Sequence, residues 1–407
     1  MSSIGHTGRP AHALILCNSV DNGGGATLLF RVTQWLDKRR VVPTLLLNRD
    51  GWQAARQRAT GYAEFVVDGD MGAIDPLSGP EAADVLGLAR VLARTTRGYG
   101  RVLAHIRQLA REREIDVLAG FGGTPAVLAT LAGTLTGLPV IWSAQGGYDH
   151  YLRSVPHRAF AMMPNVRRIF AVSRAAAEPY QHVRRRVEIT YNGLVPEDAD
   201  PRKLVGTLRA RHRIAPDVPL VGLAGRLVEL KGVDLFLRAA AELATSHPKA
   251  KFVLIGRREG DAYDAELDRI VRTNGLADRV FFTGWVDDIR TEMLDLDVLA
   301  IPSRRDAAPL VCYEGMALER AIVASRVPGL DEQLVHDRTG LYFPREDVGA
   351  LASAIDRLLA DAALRARLGV AARADLCERF DLRHMVKRVE DTIVDLARER
   401  NGGRQLS

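Results

Sequence analysis

A chain of 407 residues, 47% apolar and 26% charged, has the composition of a soluble globular protein and is too long for one ordinary core. Three scattered cysteines (Cys17, Cys312, Cys377) with no CxxC pair exclude a disulfide framework and a cysteine zinc site, and fit a reducing cytoplasm. The net charge of +6 is uneven, since residues 1–200 hold 23 Lys and Arg against 18 Asp and Glu.

The first element expected is a strand in the apolar run His12–Asn18. Asp21-Asn22-Gly23-Gly24-Gly25 then turns the chain into an amphipathic helix, Ala26–Leu36. The run is too short for a secretory signal, and the bulky Leu16 before Cys17 argues against a lipoprotein site. As a GxGxxG fingerprint the glycines fail, because Leu28 stands where the third belongs. A turn at Gly24 and Gly25 that lets the backbone touch a phosphate is the better reading.

Arg90, Arg94, Arg97, Arg101, Arg107 and Arg111 recur at helical spacing, and Arg184-Arg185-Arg186 is a second basic cluster. These form either a solvated arginine-rich face or a surface for anionic lipid heads or a phosphorylated acceptor. No recognition motif or aromatic interleaving accompanies them, so nucleic acid is not expected. The uncharged stretch Val117–Trp142 is long enough to span a bilayer, but Gly120, Gly122, Gly123, Pro125 and Pro139 interrupt it. Strand, glycine turn, buried helix and strand are expected instead. After Trp142 come Gln145 and Gly146, then Tyr148 and His150, which are candidates for lining an acceptor-side cleft. A lone loop histidine is equally well explained as exposed.

Short β-rich runs at Thr44–Leu47, Val117–Ala119, Val140–Trp142 and Ile169–Val172 alternate with helical stretches. The pattern repeats with Pro219–Ala224, Lys251–Ile255, Val280–Phe282, Val298–Ile301 and Ile322–Ala324. Such alternation predicts an α/β protein of two doubly wound domains with parallel sheets. The expected division is 1–200, 201–380 and a terminal segment 381–400 that contains the helical region Leu382–Arg398 and packs back on the N-terminal domain, with disorder from Asn401 onward.

Two turns carry the chemistry. Gly225 ends a strand and opens Gly225-Arg226-Leu227-Val228-Glu229-Leu230-Lys231-Gly232. A glycine there lets the backbone approach a ligand, while Arg226 offers a fork for phosphate oxygens and Lys231 a mobile point charge. The second turn follows Val298–Ile301. Pro309 is expected as the first residue of a helix, with the amides of Leu310 and Val311 aimed outward as an anion site. Glu314 shares that face four residues beyond Leu310, roughly 6 Å along the axis. Asp306 lies in the loop before it. No GxxxxGK[ST], HExxH or GxSxG occurs, so P-loop, zinc-protease and serine-hydrolase chemistry have no support.

These residues resemble those of the retaining glycosyltransferases of family 4, whose GT-B architecture has two Rossmann-like domains facing a central cleft. The resemblance covers nearly the whole chain and is strongest from Val221 to Asp347. It rests on GRLVELKG, FVLIG at Phe252–Gly256, VFFTGWVDD at Val280–Asp288, Asp306-x7-Glu314, VPGLDEQL at Val327–Leu334 and TGLYFPRED at Thr339–Asp347, in the family's order. It implies that Arg226 and Lys231 hold a donor's diphosphate, that Glu314 bonds the ribose, and that Asp306 contacts the transferred sugar. Gly256-Arg257 and Trp285-Val286 would border the nucleobase, and Gly225, Ala308, Leu310 and Val311 complete the donor-binding set. Three positions depart from the family pattern. Asp306 replaces a common Glu, Gln145-Gly146 replaces a familiar His-Gly, and Thr27 stands where Glu is frequent.

The resulting expectation is a cytoplasmic enzyme, with peripheral contact to an anionic membrane as an option. It would transfer sugar from a nucleoside diphosphate-sugar, UDP-sugar before others, to a glycan, lipid-linked or small-molecule acceptor, without metal or cofactor. Rival readings are a sugar-nucleotide epimerase or phosphorylase on the same fold, and a non-catalytic binding module.

Overall fold

The computed structural model describes residues 9–18, 23–72, 85–146, 158–260 and 262–405. Two units emerge, one of Met1–Thr190 with Arg383–Ser407, the other of Tyr191–Leu382. Residues 191–200, expected in the first domain, belong to the second. Leu194 bridges Asp381, and its amide donates to the Phe380 carbonyl at 3.2 Å, which ties this stretch to the second unit's end.

The first unit is built on strands β1 (Ala11–Cys17), β2 (Val41–Leu47), β3 (Glu64–Val67), β4 (Val117–Phe121), β5 (Val140–Ala144), β6 (Val166–Ala171) and β7 (Val187–Ile189). All pairings are parallel, in the order β3-β2-β1-β4-β5-β6-β7. The uncharged stretch folds as expected into β4, the helix Gly123–Thr136 and β5. The last helix runs Leu382–Gln405, through residues where disorder was expected. It is held by ion pairs within its own unit: Glu390 with Arg40 at 2.9 Å, and Arg388 with Glu188 through two bonds of 2.5 and 2.7 Å.

The second unit contains β8 (Leu220–Ala224), β9 (Lys251–Ile255), β10 (Val280–Gly284), β11 (Val298–Ile301), β12 (Ala321–Ser325) and β13 (Leu341–Phe343). They form a parallel sheet in the order β10-β9-β8-β11-β12-β13. Successive residues feed opposite cores. Val221, Leu223, Phe252 and Leu254 pack with the helix Val233–Ser246 on one side, while Leu220, Ala224, Val253 and Ile255 pack with the helix Leu310–Ala317 on the other. Burial on both faces explains why these strands read as continuous apolar runs. The architecture is therefore two Rossmann-like doubly wound domains.

Each sheet has a point where its winding reverses, between β1 and β4 in the first unit and between β8 and β11 in the second. At such a switch point the loops leaving the two strands diverge and open a crevice at the carboxyl edge.

Candidate functional site

In the second unit the loops leaving β8 and β11 are the two turns that carry Arg226 and Lys231, and Asp306. The sheet order thus brings together segments about eighty residues apart in the chain. The Lys231 ammonium donates to the Asp306 carboxylate, with the two side chains only 24% and 14% exposed. Ser303 Oγ lies 3.4 Å from the same carboxylate oxygen. The expected arrangement had cations facing phosphates and carboxylates facing hydroxyls. In the structure Lys231 and Asp306 are paired to each other, because both loops end at the same spot above the switch point. Arg226 is exposed and makes no ion pair among the described residues.

The loop from Gly225 is fixed by its backbone. Gly225 donates to the Ile255 carbonyl at 2.9 Å and Leu227 to the Arg257 carbonyl at 3.2 Å. Gly256 has φ +145°, and a Cβ there would lie 1.8 Å from the Gly225 carbonyl oxygen. Only glycine permits that approach. A single 3₁₀ turn, Glu229–Lys231, and Gly232 in the left-handed region then aim Lys231 back at β11.

Pro309 is the residue before the helix, not its first: its ψ of 126° is extended, and the helix spans Leu310–Ala317. The proline's missing N–H costs nothing at either position, so the spacing alone could not separate them. The first-turn amides of Leu310 and Val311 have no intrahelical acceptor. Ala308, Leu310 and Val311 are half-buried against the core. Glu314, at 6% exposure, is buried rather than solvated. Its charge acts on Arg290, which forks onto Asp288 with two bonds of 2.8 Å. Burial opposes the Arg290 charge, but Asp288 and then Glu314 and Asp198 outweigh it and raise its pKa.

The candidate nucleobase border is looser. Arg257 is exposed, Trp285 is 48% exposed, and Val286 is half-buried. Gly256 and Gly284 form a backbone bridge that places the ends of β9 and β10 side by side.

Several supporting residues escaped the sequence reading. Arg304 binds Asp234 through two bonds of 2.7 and 2.9 Å, Glu346 at 3.0 Å and the Glu229 carbonyl at 2.7 Å. Tyr263 adds a 2.7 Å bond to the same Asp234. Hydrogen bonding to Asp234 raises the Arg304 pKa against the effect of burial. Burial alone would raise the Asp234 carboxyl, but bonds from Arg304 and Tyr263 bring it below its ordinary 3.8. This network clamps the Asp306 loop onto the helix that follows Lys231. Gly329, with φ +92°, pairs with Asp306, and a Cβ there would meet the Ala307 carbonyl at 2.2 Å. The only sequence signal was the glycine in Val327-Pro328-Gly329, since nothing marks Arg304 apart from other arginines.

The first unit's switch point is chemically different. Gly23 caps the helix Gly24–Trp35, so Gly24 and Gly25 are its first residues, and Gly25 lies near the Phe121 ring. Gly122 donates to the Ser143 carbonyl at 3.1 Å, and the Gln145 amide bonds Ser143 Oγ. Gln145 and Gly146 are half-buried, while Tyr148 and His150 lie outside the described residues. Among the described residues no helix is long and apolar enough to cross a membrane.

Residues 206–375 match the family model described as glycosyl transferases group 1, and residues 22–198 match that of glycosyltransferase family 4. An α-D-kanosaminyltransferase of Streptomyces kanamyceticus is 33% identical over 174 residues, 42% of this chain and 44% of that protein. The lipopolysaccharide core biosynthesis mannosyltransferase LpcC of Rhizobium leguminosarum bv. viciae is 36% identical over 171 residues, covering 42% and 47%. The chain spans about half the length of the curated relatives it matches. Alr3699/HepE of Anabaena, solved in complex with UDP-glucose, superposes with a TM-score of 0.77 at 20% identity, covering 94% of this chain and 99% of that one. At that identity the likeness is one of fold.

Proposed function

We propose that this chain, whose two halves match two glycosyltransferase family models, moves a sugar from a nucleoside diphosphate-sugar to an acceptor hydroxyl with retention at the transferred carbon. The observation that carries the proposal is the Lys231–Asp306 contact at the β8/β11 switch point, which joins a phosphate-seeking cation to a sugar-seeking carboxylate. On donor binding, Lys231 turns to the diphosphate beside Arg226, and Asp306 is released to a sugar hydroxyl. Glu314 takes the ribose, and Leu310 and Val311 offer amides to a phosphate oxygen. The acceptor proton passes to the departing phosphate oxygen as the new glycosidic bond forms and the old one breaks, so no protein nucleophile is needed.

The main demand is to stabilise charge on the leaving diphosphate. At ~4 Å and an effective dielectric near 20, a cation contributes on the order of 4 kcal/mol before desolvation. Arg226 and Lys231 meet this demand without a metal. UDP-sugars are the preferred donors in this reading, on the fold shared with a UDP-glucose complex. A glycan, lipid-linked or small-molecule acceptor is met in the cytoplasm or at the inner face of a membrane.

A thermal-shift panel of UDP-, GDP-, ADP- and TDP-sugars tests the donor. The preferred one, at about one hundred times its Kd, stabilises the fold by about 2.7 kcal/mol. Incubation with that donor and no acceptor separates the rivals: a transferase returns the sugar unchanged or slowly hydrolysed, whereas conversion of the sugar itself marks an epimerase and overturns the proposal.

A further inference from the structure

The opposite edge of the first unit's sheet, where β1 and β4 begin, carries an unassigned basic cavity of about 410 Å³. Four arginines line it from three distant parts of the chain: Arg9 before β1, Arg107 and Arg111 on the helix Val85–Glu112, and Arg400 on the last helix. Glu114 is the one acidic residue in the lining and ion-pairs with Arg9 at 3.6 Å, which leaves Arg107 and Arg111 as the lining's uncompensated cations among the described residues. Two of the guanidinium groups are set in place by a carboxylate behind the wall. Asp116, 1% exposed, accepts from Arg9 at 3.0 Å and Arg400 at 3.4 Å, and from the His12 amide at 3.0 Å. Arg400 also donates to the Ile115 carbonyl at 2.7 Å. Arg107 and Arg111, one helical turn apart, are exposed and have no ion pair among the described residues.

Helix dipoles do not account for this cluster. The favourable field at a helix C-terminus fades within its last turn, and Arg107 stands more than a turn before the helix end at Glu112. Forked donors, two of them ordered in advance, are instead suited to the oxygens of a phosphate. A second cavity of about 510 Å³ adjoins the first, sharing Leu138 and Arg400; Pro139, Met163, Pro164 and Leu396 line it, and its two other charged residues, Arg167 and Glu399, pair with each other at 2.7 Å. Leu135, 57% exposed, stands in the wall of the basic cavity. Charge on one side and apolar surface on the other call for a ligand with both characters.

We propose that this groove binds a phosphate monoester bearing an apolar group, the phosphate among the arginines and the apolar part in the adjoining cavity. The site is separate from the β8/β11 switch point and does not depend on the function proposed for it.

Titration calorimetry of the full chain with methyl phosphate and hexyl phosphate tests the assignment. Hexyl phosphate is expected to bind saturably at ~0.15 M salt and about ten-fold tighter than methyl phosphate. The R107Q/R111Q variant, changed only at exposed positions, should weaken both at least ten-fold while keeping its thermal midpoint. The contrast should persist in a Lys231→Ala background, which removes a contribution from the other phosphate-seeking site. Dihexanoyl phosphatidic acid displacing hexyl phosphate assigns the ligand to a lipid headgroup, and failure to displace it assigns a free phosphorylated metabolite. Equal affinity in wild type and R107Q/R111Q overturns the site. Equal affinity for the two esters overturns its apolar half.

Discussion

The two switch points of this molecule share an architecture and differ in chemistry. In the second unit, the loops after β8 and β11 bring Arg226, Lys231 and Asp306 to one edge, with Arg304 and Asp234 beneath them. In the first unit, the corresponding edge holds Gly25, Gly122, Ser143 and Gln145, with no ion pair among the described residues of that group. A parallel sheet decides where a crevice opens, and the loop side chains decide what it can do. In the proposed reaction the charged edge would take the diphosphate, and the neutral edge would contact a ligand through backbone and amide.

The largest effect expected from this contrast is on Lys231. Replacing it by Ala removes the cation proposed to stabilise the leaving diphosphate and should lower turnover by about 10²–10³, measured by steady-state kinetics at saturating donor. Wild-type turnover in that variant would erase the distinction between the two edges.

Backbone crowding is the next test. Gly256→Ala forces a Cβ to within 1.8 Å of the Gly225 carbonyl at a φ of +145°, and should cost about 3 kcal/mol in urea unfolding. Gly23→Ala, where a Cβ meets nothing within 4 Å and only a favoured cap residue is lost, should cost no more than about 1 kcal/mol. Similar costs at both sites would mean that the charged edge is no more tightly built than the neutral one.

Arg304→Ala leaves Asp234 without its forked partner and should cost about 2 kcal/mol at pH 7, below the usual figure for a buried pair because both groups retain some solvent contact. The folded-state pKa of Asp234 is depressed. The pair's contribution is therefore complete above the unfolded value near pH 4 and is lost as pH falls through the lower folded value. The gap between wild type and Arg304→Ala should narrow from pH 7 to pH 3 in urea midpoints. A gap that stays constant would remove the clamp from this account.

The smallest effect belongs to the neutral edge. Gln145→Ala removes one hydrogen-bonding group worth about 1 kcal/mol and should reduce kcat/KM about five-fold. A loss as large as that of Lys231→Ala would place equal chemistry on both edges.

Legibility followed burial. Central strands such as β8, β9 and β11 are covered on both faces and appear in the sequence as unbroken apolar runs. The three strands left unread, β3, β7 and β13, are three-or-four-residue sheet edges, and β3 and β7 are largely open to solvent. Phe65-Val66-Val67 in β3 and Leu341-Tyr342-Phe343 in β13 are apolar, but runs of three are shorter than the roughly four to eight residues that mark a strand. The last helix likewise extends to Gln405 through Gly402 and Gly403, residues whose low intrinsic helix preference suggested an earlier end.

By itself the sequence determined two parallel α/β domains and marked Arg226, Lys231, Asp306 and Glu314 as candidates, because apolar periodicity and loop chemistry are local properties. Only the tertiary structure decided that Lys231 rests against Asp306, that Glu314 is buried near Arg290, and that Arg304 ties one loop to Asp234. It also gathered Arg9, Arg107, Arg111 and Arg400 around one cavity. Each of these joins residues remote in the chain, and strand order, which no local pattern encodes, sets which remote segments meet.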